Sequence, residues 1–388
     1  MDNNYTLDLS SLSKELRLLL EILKTEDYDS VGLVKKELYI DIDWGEFLQL
    51  AMHHRVYPII YSKMKKTENR IPQHVIQTLY KEFKKNTFKM LLLSGEMEQV
   101  SELFTKNQVR ILYLKGPVIA ADIYGDISLR TSKDLDILIS ITDFKKAEEL
   151  LLSIGYEKEV VSDVLNVWKL RNHHVVYFHP QKNIQLEIHW RLQPPPLKEP
   201  KFNELWERKR VSTLTGYPVY FLGKEDLLLY LISHGARHGW FRLRWLIDID
   251  QMLSKGLELE DINELVSKYQ NHKLVGQALI LASELLKTHM NEGWGKLTEG
   301  NGSKKIAQNA LEFIKGTESL PTTKYYKDYS LSIKSNPQRF QKRIYSFLIL
   351  FYPTSKDTKT LSLPKPLHFL YFLLRPCLVF WRKTRKSR

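Results

Sequence analysis

The sequence has a single cysteine, Cys377, in 388 residues. One cysteine excludes an internal disulfide framework and any zinc site built from cysteines. No uncharged run approaches the length of about 18 residues that a membrane-spanning helix requires. The first residues, Met1 to Tyr5, contain neither the basic region nor the apolar region of a secretion signal. Together these absences predict a protein of the reducing cytoplasm.

Acidic residues are outnumbered, since 58 lysines and arginines face 45 aspartates and glutamates and leave a formal net charge of +13. A basic surplus favours polyanionic partners such as nucleoside triphosphates, nucleic acid or anionic lipid, although it also serves general solubility. Five of the last seven residues are basic, and the apolar segment Leu367 to Trp381 precedes them. This end of the chain predicts either a weak contact at the periphery of an anionic membrane or packing onto the protein's own helices.

Two carboxylates stand two residues apart at the start of the apolar segment Asp134-Leu-Asp-Ile-Leu-Ile139. Because side chains alternate between the two faces of a strand, Asp134 and Asp136 point the same way, with Cα atoms about 7 Å apart. The intervening Leu135 faces the core. Two carboxylates held in this way repel each other unless a cation lies between them, and a pair of hard oxygen ligands suits Mg²⁺. The pattern therefore outlines a metal site.

A second chemical pattern precedes the acidic pair. The apolar run Val109 to Leu114 predicts a buried strand, and Lys115-Gly116 ends it. Pro117 suits the first turn of a helix that continues to Tyr124. Free backbone N–H groups at a helix start attract anions, and Lys115 adds a positive charge for a triphosphate. The alternative is that Gly116 only turns the chain and that Lys115 is solvated.

The order Leu-Lys-Gly, then Arg-x-x-x-Asp-Leu-Asp, within residues 114–136 resembles a large bacterial nucleotidyltransferase family of the DNA polymerase beta-like superfamily. The resemblance extends from about Trp44 to about Leu253. It implies an α+β fold, in which a small mixed sheet with helices forms the polymerase beta-like core between N-terminal and C-terminal helical regions. It also implies two-metal, in-line transfer of a nucleoside monophosphate from a triphosphate to an acceptor hydroxyl or phosphate.

In the resembling enzymes a third carboxylate lies on a strand beside the acidic pair, and Glu187 is the residue that matches it here. Apolar and polar residues alternate from Ile184 to Arg191, which places Glu187 and His189 on one face of a strand. The resemblance assigns Asp134, Asp136 and Glu187 to catalysis and to holding two Mg²⁺ ions, with Mn²⁺ as an alternative. His189 is expected to line the nucleotide site or to orient a carboxylate, and a structural role is the alternative. A glutamate at an exposed sheet edge is the other interpretation of Glu187.

The resemblance also implies residues that hold the nucleotide. Lys115, the backbone of Gly116 and Arg130 would steady the triphosphate, although Arg130 could instead neutralise the carboxylate cluster. Enzymes of the broader polymerase beta type usually have Gly-Gly or Gly-Ser where this chain has Gly116-Pro117, and a proline offers a phosphate neither a hydroxyl nor an N–H. Arg130 and Ser132 are therefore expected to compensate for Pro117.

A later cluster contains His234, Arg237, His238 and Trp240. The two histidines are four residues apart and share a helix face, but no third metal ligand accompanies them. In the resembling family a His-x-x-x-His-x-Trp segment recurs in the helical lobe after the core. We expect this lobe to close over the active site, with Arg237, His238 and Trp240 in contact with base or phosphate, or with Trp240 packed in the core. Asp248 is expected to pair with one of the two arginines that precede it.

Four regions are expected along the chain. They are an N-terminal helical region 1–93, a nucleotidyltransferase core 94–222, a C-terminal helical lobe 223–330 and a basic, aromatic segment 331–388. The expected partners are a nucleoside triphosphate and an acceptor such as a sugar phosphate, a peptide or another small molecule. Two rival functions stay open: a catalytically inactive nucleotide-binding protein, and a scaffold that binds a membrane surface or nucleic acid.

Overall fold

The computed structural model describes residues 6–25, 34–65, 70–159, 168–257, 259–290, 292–298, 302–317 and 324–386. Within these residues, seven strands form one mixed sheet in the order β3-β4-β5-β2-β1-β7-β6. The strands are β1 Ile111–Tyr113, β2 Asp134–Ile139, β3 Glu157–Lys158, β4 His174–His179, β5 Ile184–His189, β6 Arg210–Ser212 and β7 Val219–Phe221. Strand β2 runs parallel to β5 and antiparallel to β1, and β1 runs parallel to β7.

Helices precede, interrupt and follow the sheet. Those up to β6 are α1 Lys14–Lys24, α2 Trp44–His53, α3 Tyr57–Met64, α4 Gln73–Lys106, α5 Pro117–Tyr124, α6 Phe144–Ser153, α7 Trp168–Arg171 and α8 Phe202–Glu207. Those after β7 are α9 Lys224–Arg237, α10 Leu243–Ser254, α11 Leu259–Tyr269, α12 His272–Leu286, α13 Glu292–Thr298, α14 Ser303–Ile314, α15 Lys324–Ser332, α16 Asn336–Ile349, α17 Ser355–Thr360 and α18 Tyr371–Lys386. Short 3₁₀ helices lie at Lys36–Tyr39, Ile127–Leu129, Ile141–Asp143 and Lys365–Leu370. The predicted α+β fold with flanking helices is confirmed.

The segment between β1 and β2 has the structure that the sequence predicts. Helix α5 begins at Pro117 and ends at Tyr124, as predicted. Gly116 before it has a φ of +97°, and Gly125 after it has a φ of +72°. Both angles lie in the left-handed region, where glycine carries no Cβ penalty, so these two residues set the ends of the helix.

Helix α4 spans 34 residues and packs against the sheet. Its buried apolar positions recur at helical spacing and are Val75, Leu79, Met90, Leu93, Met97, Val100 and Phe104. The expected boundary between residues 93 and 94 lies inside this helix. The N-terminal helices and the sheet therefore share one hydrophobic core, and the division into four regions stays a prediction.

The apolar segment Leu367 to Trp381 lies in the 3₁₀ helix Lys365–Leu370 and in helix α18. Tyr371 and Leu378 bury themselves in a small cluster that is separate from the main core. Asp357 pairs with arginines of α18, at 3.2 Å from one and 2.6 Å from another. Among the described residues, no helix combines the length and the apolar character needed to cross a bilayer.

Candidate active site

Strand β2 carries both predicted aspartates into one cleft. Asp136 is buried, whereas Asp134, at the start of the strand, is partly exposed. Both side chains line a cleft of about 430 Å³. Leu135 and Ile137 are fully buried in the core. The alternation expected for this strand is therefore present, and it leaves two carboxylates at the wall of an open cavity.

Strand β5 brings Glu187 beside the aspartates. The parallel register of β2 and β5 sets Asp136 directly opposite Glu187. His189, two residues farther along, places its Nε2 3.1 Å from Oδ1 of Asp136 and 3.2 Å from Oε2 of Glu187. Nε2 of Gln185 donates to Oε1 of Glu187 at 3.2 Å. The imidazole thus bridges the two carboxylates that the strand pairing brings together.

Three of these side chains form a compact set of candidate metal ligands. The ligand atoms of Asp136, Glu187 and His189 all lie within 4.8 Å of one another. Oδ2 of Asp136 and Nδ1 of His189 are buried and have no hydrogen-bond partner among the described residues. Asp134 lines the same cleft but lies outside this compact set. Carboxylate oxygens with one imidazole nitrogen suit a divalent ion such as Mg²⁺ or Mn²⁺.

The cleft shifts the pKa of each of these groups in its own direction. Burial, and then the charges of Asp136 and Glu187, raises the pKa of Asp134 to about 6. Burial opposes the ionisation of Asp136, yet Lys115 and the hydrogen bond with His189 hold its pKa below the usual value. Burial also disfavours the charged form of His189, but its bonds to the two carboxylates raise its pKa. Asp136 is therefore stabilised as a carboxylate by neighbouring positive charge, which is the condition a bound cation would also supply.

Lys115 follows β1 and reaches the acidic cluster. Its Nζ lies 3.5 Å from Oδ1 of Asp136 and 5.6 Å from the ring centre of Tyr230. Gly116 itself is buried, and a Cβ there would lie 3.3 Å from the side chain of Leu135. Gly116 therefore turns the chain where it packs closely against Leu135, while Lys115 places its charge in the cleft.

Arg130 does not line the cleft. Its Nε and Nη2 donate to the two carboxylate oxygens of Asp248 at 2.9 and 3.0 Å, and Oη of Tyr124 donates to the same carboxylate at 2.8 Å. This buried pairing corrects the expectation that Arg130 holds a phosphate. It also corrects the expected partner of Asp248. Ser132 does line the cleft, and its Oγ donates to the carbonyl of Asp134 at 3.0 Å.

The helical lobe forms another wall of the cleft, through His234, Arg237 and His238. Nη2 of Arg237 lies 3.2 Å from Nδ1 of His234. Burial, followed by the charge of Arg237, lowers the pKa of His238 to about 3. Burial and Lys115 hold the pKa of His234 well below its ordinary value. Both histidines are therefore neutral at pH 7 and offer hydrogen bonds rather than charge.

Trp240 belongs to the core and not to the cleft. Its side chain is fully buried against Gly235, where an added Cβ would meet the ring at 2.4 Å. The expected contact of Trp240 with base or phosphate is corrected on this ground, because the ring is enclosed by protein. Trp245 on α10 lines the cleft instead.

Basic side chains outnumber acidic ones along this cleft. The lysines and arginines among its lining residues are Arg55, Lys115, Lys133, Arg237, Arg242 and Arg244. Nη1 of Arg237, Nε of Arg242 and Nε of Arg244 are buried and have no hydrogen-bond partner among the described residues. Guanidinium N–H groups without a partner in a basic cleft suit phosphate oxygens. The cleft thus has candidate metal ligands on one wall and unpartnered guanidinium groups that suit an anion on another.

A comparison with protein families agrees with this geometry. A family model described as "Uncharacterised nucleotidyltransferase" matches residues 41–287, which is more than half of the chain. The chain belongs to this family. It is therefore a transferase with a nucleotide substrate. No curated protein matches the chain. The match contains every cleft residue described above and ends before α13.

Several cleft residues of this nucleotidyltransferase were given no role from the sequence. Arg55 lies just after α2 with a φ of +56°, a conformation that no local pattern reveals. His173 and His174 lie where β4 begins, and β4 places His174 opposite His189. The ring of His174 is tilted by 31° against that of His189, with ring centres 4.8 Å apart, and the ring of His173 stands edge-on to both. An adjacent histidine pair at a strand start was the one signal available.

Proposed function

We propose that this nucleotidyltransferase moves a nucleoside monophosphate from a nucleoside triphosphate to an acceptor hydroxyl or phosphate, with divalent metal, and that it belongs to the DNA polymerase beta-like superfamily. The observation that supports this most is the register that sets Asp136 opposite Glu187 in a cleft where basic side chains outnumber acidic ones. Nucleotidyl transfer requires carboxylates that hold metal ions and cationic side chains that hold the triphosphate, and the cleft contains both.

Asp136, Glu187 and the neighbouring Asp134 would hold Mg²⁺, and the nitrogen of His189 in the same set makes Mn²⁺ an effective substitute. Two such ions, when bound, would neutralise phosphate charge and favour the deprotonated form of the acceptor oxygen. The two carboxylates on either side of Nε2 raise the pKa of His189, so this nitrogen would have to release its proton to water before it could bind the ion.

We assign the triphosphate to Lys115, Arg237 and Arg244, which line the cleft from three different elements. Burial lowers the pKa of Arg237 and, with the charge of Arg130, lowers that of Arg244 to about 9. Cations desolvated in this way bind an incoming anion more strongly than exposed ones. The acceptor oxygen would attack the α-phosphorus while the bond to the bridging oxygen of the β-phosphate breaks, and pyrophosphate leaves with the electron pair. The chain's contribution is to hold these groups in line.

The test is the release of pyrophosphate from each nucleoside triphosphate, with Mg²⁺ and with sugar phosphates, peptides or small hydroxyl compounds as acceptors. Asp136→Asn should lower turnover by about a thousandfold, the size of effect seen when a charge-stabilising group is removed from an active site. Glu149→Gln is the matched control, since Glu149 is an exposed acid on α6. A transfer rate that is unchanged in Asp136→Asn would contradict the proposal.

The rival reading as a catalytically inactive nucleotide-binding protein rests on Gly116-Pro117, where the chain offers no hydroxyl and no N–H from the proline. The two readings differ in one measurement. Calorimetry that finds tight triphosphate binding, with no pyrophosphate from any acceptor in the same panel, favours the inactive protein. Turnover that depends on Asp136 favours the enzyme.

We also propose that the protein is cytoplasmic and contacts anionic membrane at its C-terminal segment. Residues 331–388 contain thirteen lysines and arginines and one acid, whereas the remaining residues have 45 basic and 44 acidic side chains. Helix α16 adds an exposed apolar stripe at helical spacing, formed by Phe340, Ile344, Phe347 and Leu348. Exposed apolar side chains surrounded by an excess of positive charge favour an anionic lipid surface, where the apolar groups can insert. Non-specific binding to nucleic acid depends mainly on the positive charge and does not require the apolar stripe.

Vesicles of phosphatidylcholine with and without phosphatidylglycerol test this contact. The full chain should sediment with the anionic vesicles, and a double variant, Phe340→Ser with Phe347→Ser, should lose most of that binding. Phe88→Ser is the control, because Phe88 is equally exposed on α4, outside the segment. Binding that the double variant leaves unchanged, together with tight binding to nucleic acid, would support the scaffold for nucleic acid instead.

A further inference from the structure

A second cavity adjoins the catalytic cleft. It has a volume of about 320 Å³ and lies between the proline-rich loop 192–200, helix α9 and the helices after β7. Its walls are mostly apolar and include Leu192, Pro195, Leu229, Leu274, Tyr326 and Ile333. Enclosed cavities with apolar walls and a few polar groups are the usual form of small-molecule sites.

The cavity and the cleft share part of their walls. Pro194, Tyr230 and Arg237 line both of them. The same Tyr230 ring lies 5.6 Å from Nζ of Lys115, which in turn contacts Asp136. A molecule seated in the cavity would therefore have its near end at the wall of the metal site.

The charges that line the cavity do not balance. Its two acids are already paired, Asp226 with Arg208 at 2.8 and 2.9 Å and Glu199 with Arg191 at 3.1 Å. Its cations are different. Four cations line the cavity, and among the described residues none of them forms a salt bridge: Lys198, Arg237, Lys334 and Lys342. Nζ of Lys334 donates to the carbonyl of Ser330, which carries no net charge. Burial, followed by repulsion from Lys342 and Arg237, lowers the pKa of Lys334 to about 8. An anion in the cavity would relieve this repulsion.

One wall of the cavity, which we call its roof, lies beyond residue 287, where the family match ends. The roof residues are Tyr326, Ile333, Lys334, Gln338 and Lys342. Oη of Tyr326 donates to the carbonyl of Arg237 at 2.7 Å, which fastens the roof to α9. The metal ligands are thus supplied by the shared part of the chain, whereas the roof is supplied by a part beyond it. This division is what we expect if the reaction is shared across the family and the substrate site is particular to this protein.

We propose that this cavity binds the acceptor, and that the acceptor has an apolar body and an anionic group. The apolar walls take the body, and Lys334 with Lys342 takes the anion. The acceptor oxygen then faces the metal site past Tyr230 and Arg237. The assignment as acceptor rests on the proposed nucleotidyl transfer, but the binding of such a molecule does not.

The probe is methylumbelliferyl phosphate, an aromatic body with one phosphate, and its binding to the full chain is followed by fluorescence anisotropy without nucleotide or added metal. Uncharged methoxy-methylcoumarin is the comparison probe. Lys334→Met should weaken the phosphate probe about tenfold, as expected for the loss of a charged partner, and should leave the uncharged probe unchanged. Lys327→Met is the control, since Lys327 is exposed on α15 and does not line the cavity. Equal binding of the phosphate probe to wild type and Lys334→Met, or no binding at all, overturns the proposal.

A second titration separates the acceptor from the nucleotide. With Mg²⁺ and a non-hydrolysable ATP analogue present, the phosphate probe should still bind, because the two sites are adjacent and distinct. Displacement of the probe by the analogue would assign the cavity to the nucleotide and overturn the proposal. Asp136→Asn should bind the probe like wild type. If the probe binds as expected and no transfer is found with any acceptor, the cavity is a binding site but the proposed reaction is wrong. If transfer is found and the probe does not bind, the reaction is supported and the proposed acceptor cavity is wrong.

Discussion

Arg130 and Asp248, 118 residues apart in the chain, form a two-bonded ion pair whose side chains are 1% and 0% exposed. The pair fastens the segment before β2 to α10. Removal of one partner leaves an unpaired buried charge, which costs about 3–5 kcal/mol. Arg130→Met should therefore lower the free energy of unfolding by that amount, as measured by urea denaturation. Triphosphate affinity of the folded variant should stay close to that of wild type.

The double variant Arg130→Met with Asp248→Leu is the control for this prediction. It replaces both charges by apolar groups of similar size, so most of the lost stability should return. A stable Arg130→Met protein that no longer binds triphosphate would show that Arg130 does contact phosphate after all.

The packing of Trp240 predicts opposite effects at two helical glycines. Gly235→Ala on α9 would place a Cβ 2.4 Å from the Trp240 ring, so we expect a loss of about 1–3 kcal/mol from overpacking. Gly95→Ala on α4 meets no atom within 4 Å and should gain about 0.5–1 kcal/mol from helix propensity. Thermal unfolding of both variants measures the difference. Similar stability changes in the two would mean that Trp240 is not fixed against α9.

The sequence predicted the acidic pair well, because strand alternation alone puts Asp134 and Asp136 on one face. The position of Glu187 could not be predicted from strand alternation alone, since its place opposite Asp136 depends on a parallel pairing between segments about fifty residues apart. Arg130 was misjudged for the same kind of reason. Its spacing from Asp134 is local and visible, whereas its partner Asp248 lies on a distant helix. The cavity roof also comes from tertiary packing, which no periodicity describes.

Two lysines of the cleft should contribute unequally to catalysis. Lys115 is largely shielded, and Asp136 raises its pKa against the effect of burial, so its charge acts at low effective dielectric. Lys133 also lines the cleft but is exposed and screened by solvent. Lys115→Met should lower kcat/KM for the triphosphate by about a hundredfold, and Lys133→Met by only about threefold. Steady-state kinetics with the pyrophosphate assay compares them, and equal losses would contradict the assignment of Lys115.

Metal affinity should fall as the pH falls. Below a pH of about 6 Asp134 gains a proton, and the raised pKa of His189 likewise favours a proton at the ligand nitrogen. A cation must displace both protons, so acid weakens binding in each case. Titration of Mn²⁺ by calorimetry should show an affinity that already falls as the pH is lowered through 7. Below pH 6, where both ligands carry protons, the drop should approach about a hundredfold per pH unit. A constant affinity from pH 8 to pH 5 would place the metal elsewhere.

The most direct test of the account is a crystal of the full chain soaked with Mn²⁺ and a non-hydrolysable nucleoside triphosphate, examined by anomalous scattering. We expect at least one manganese peak within coordination distance of both Asp136 and Glu187, with the phosphates directed toward Lys115. An ordered nucleotide with no manganese peak beside Asp136 would contradict it.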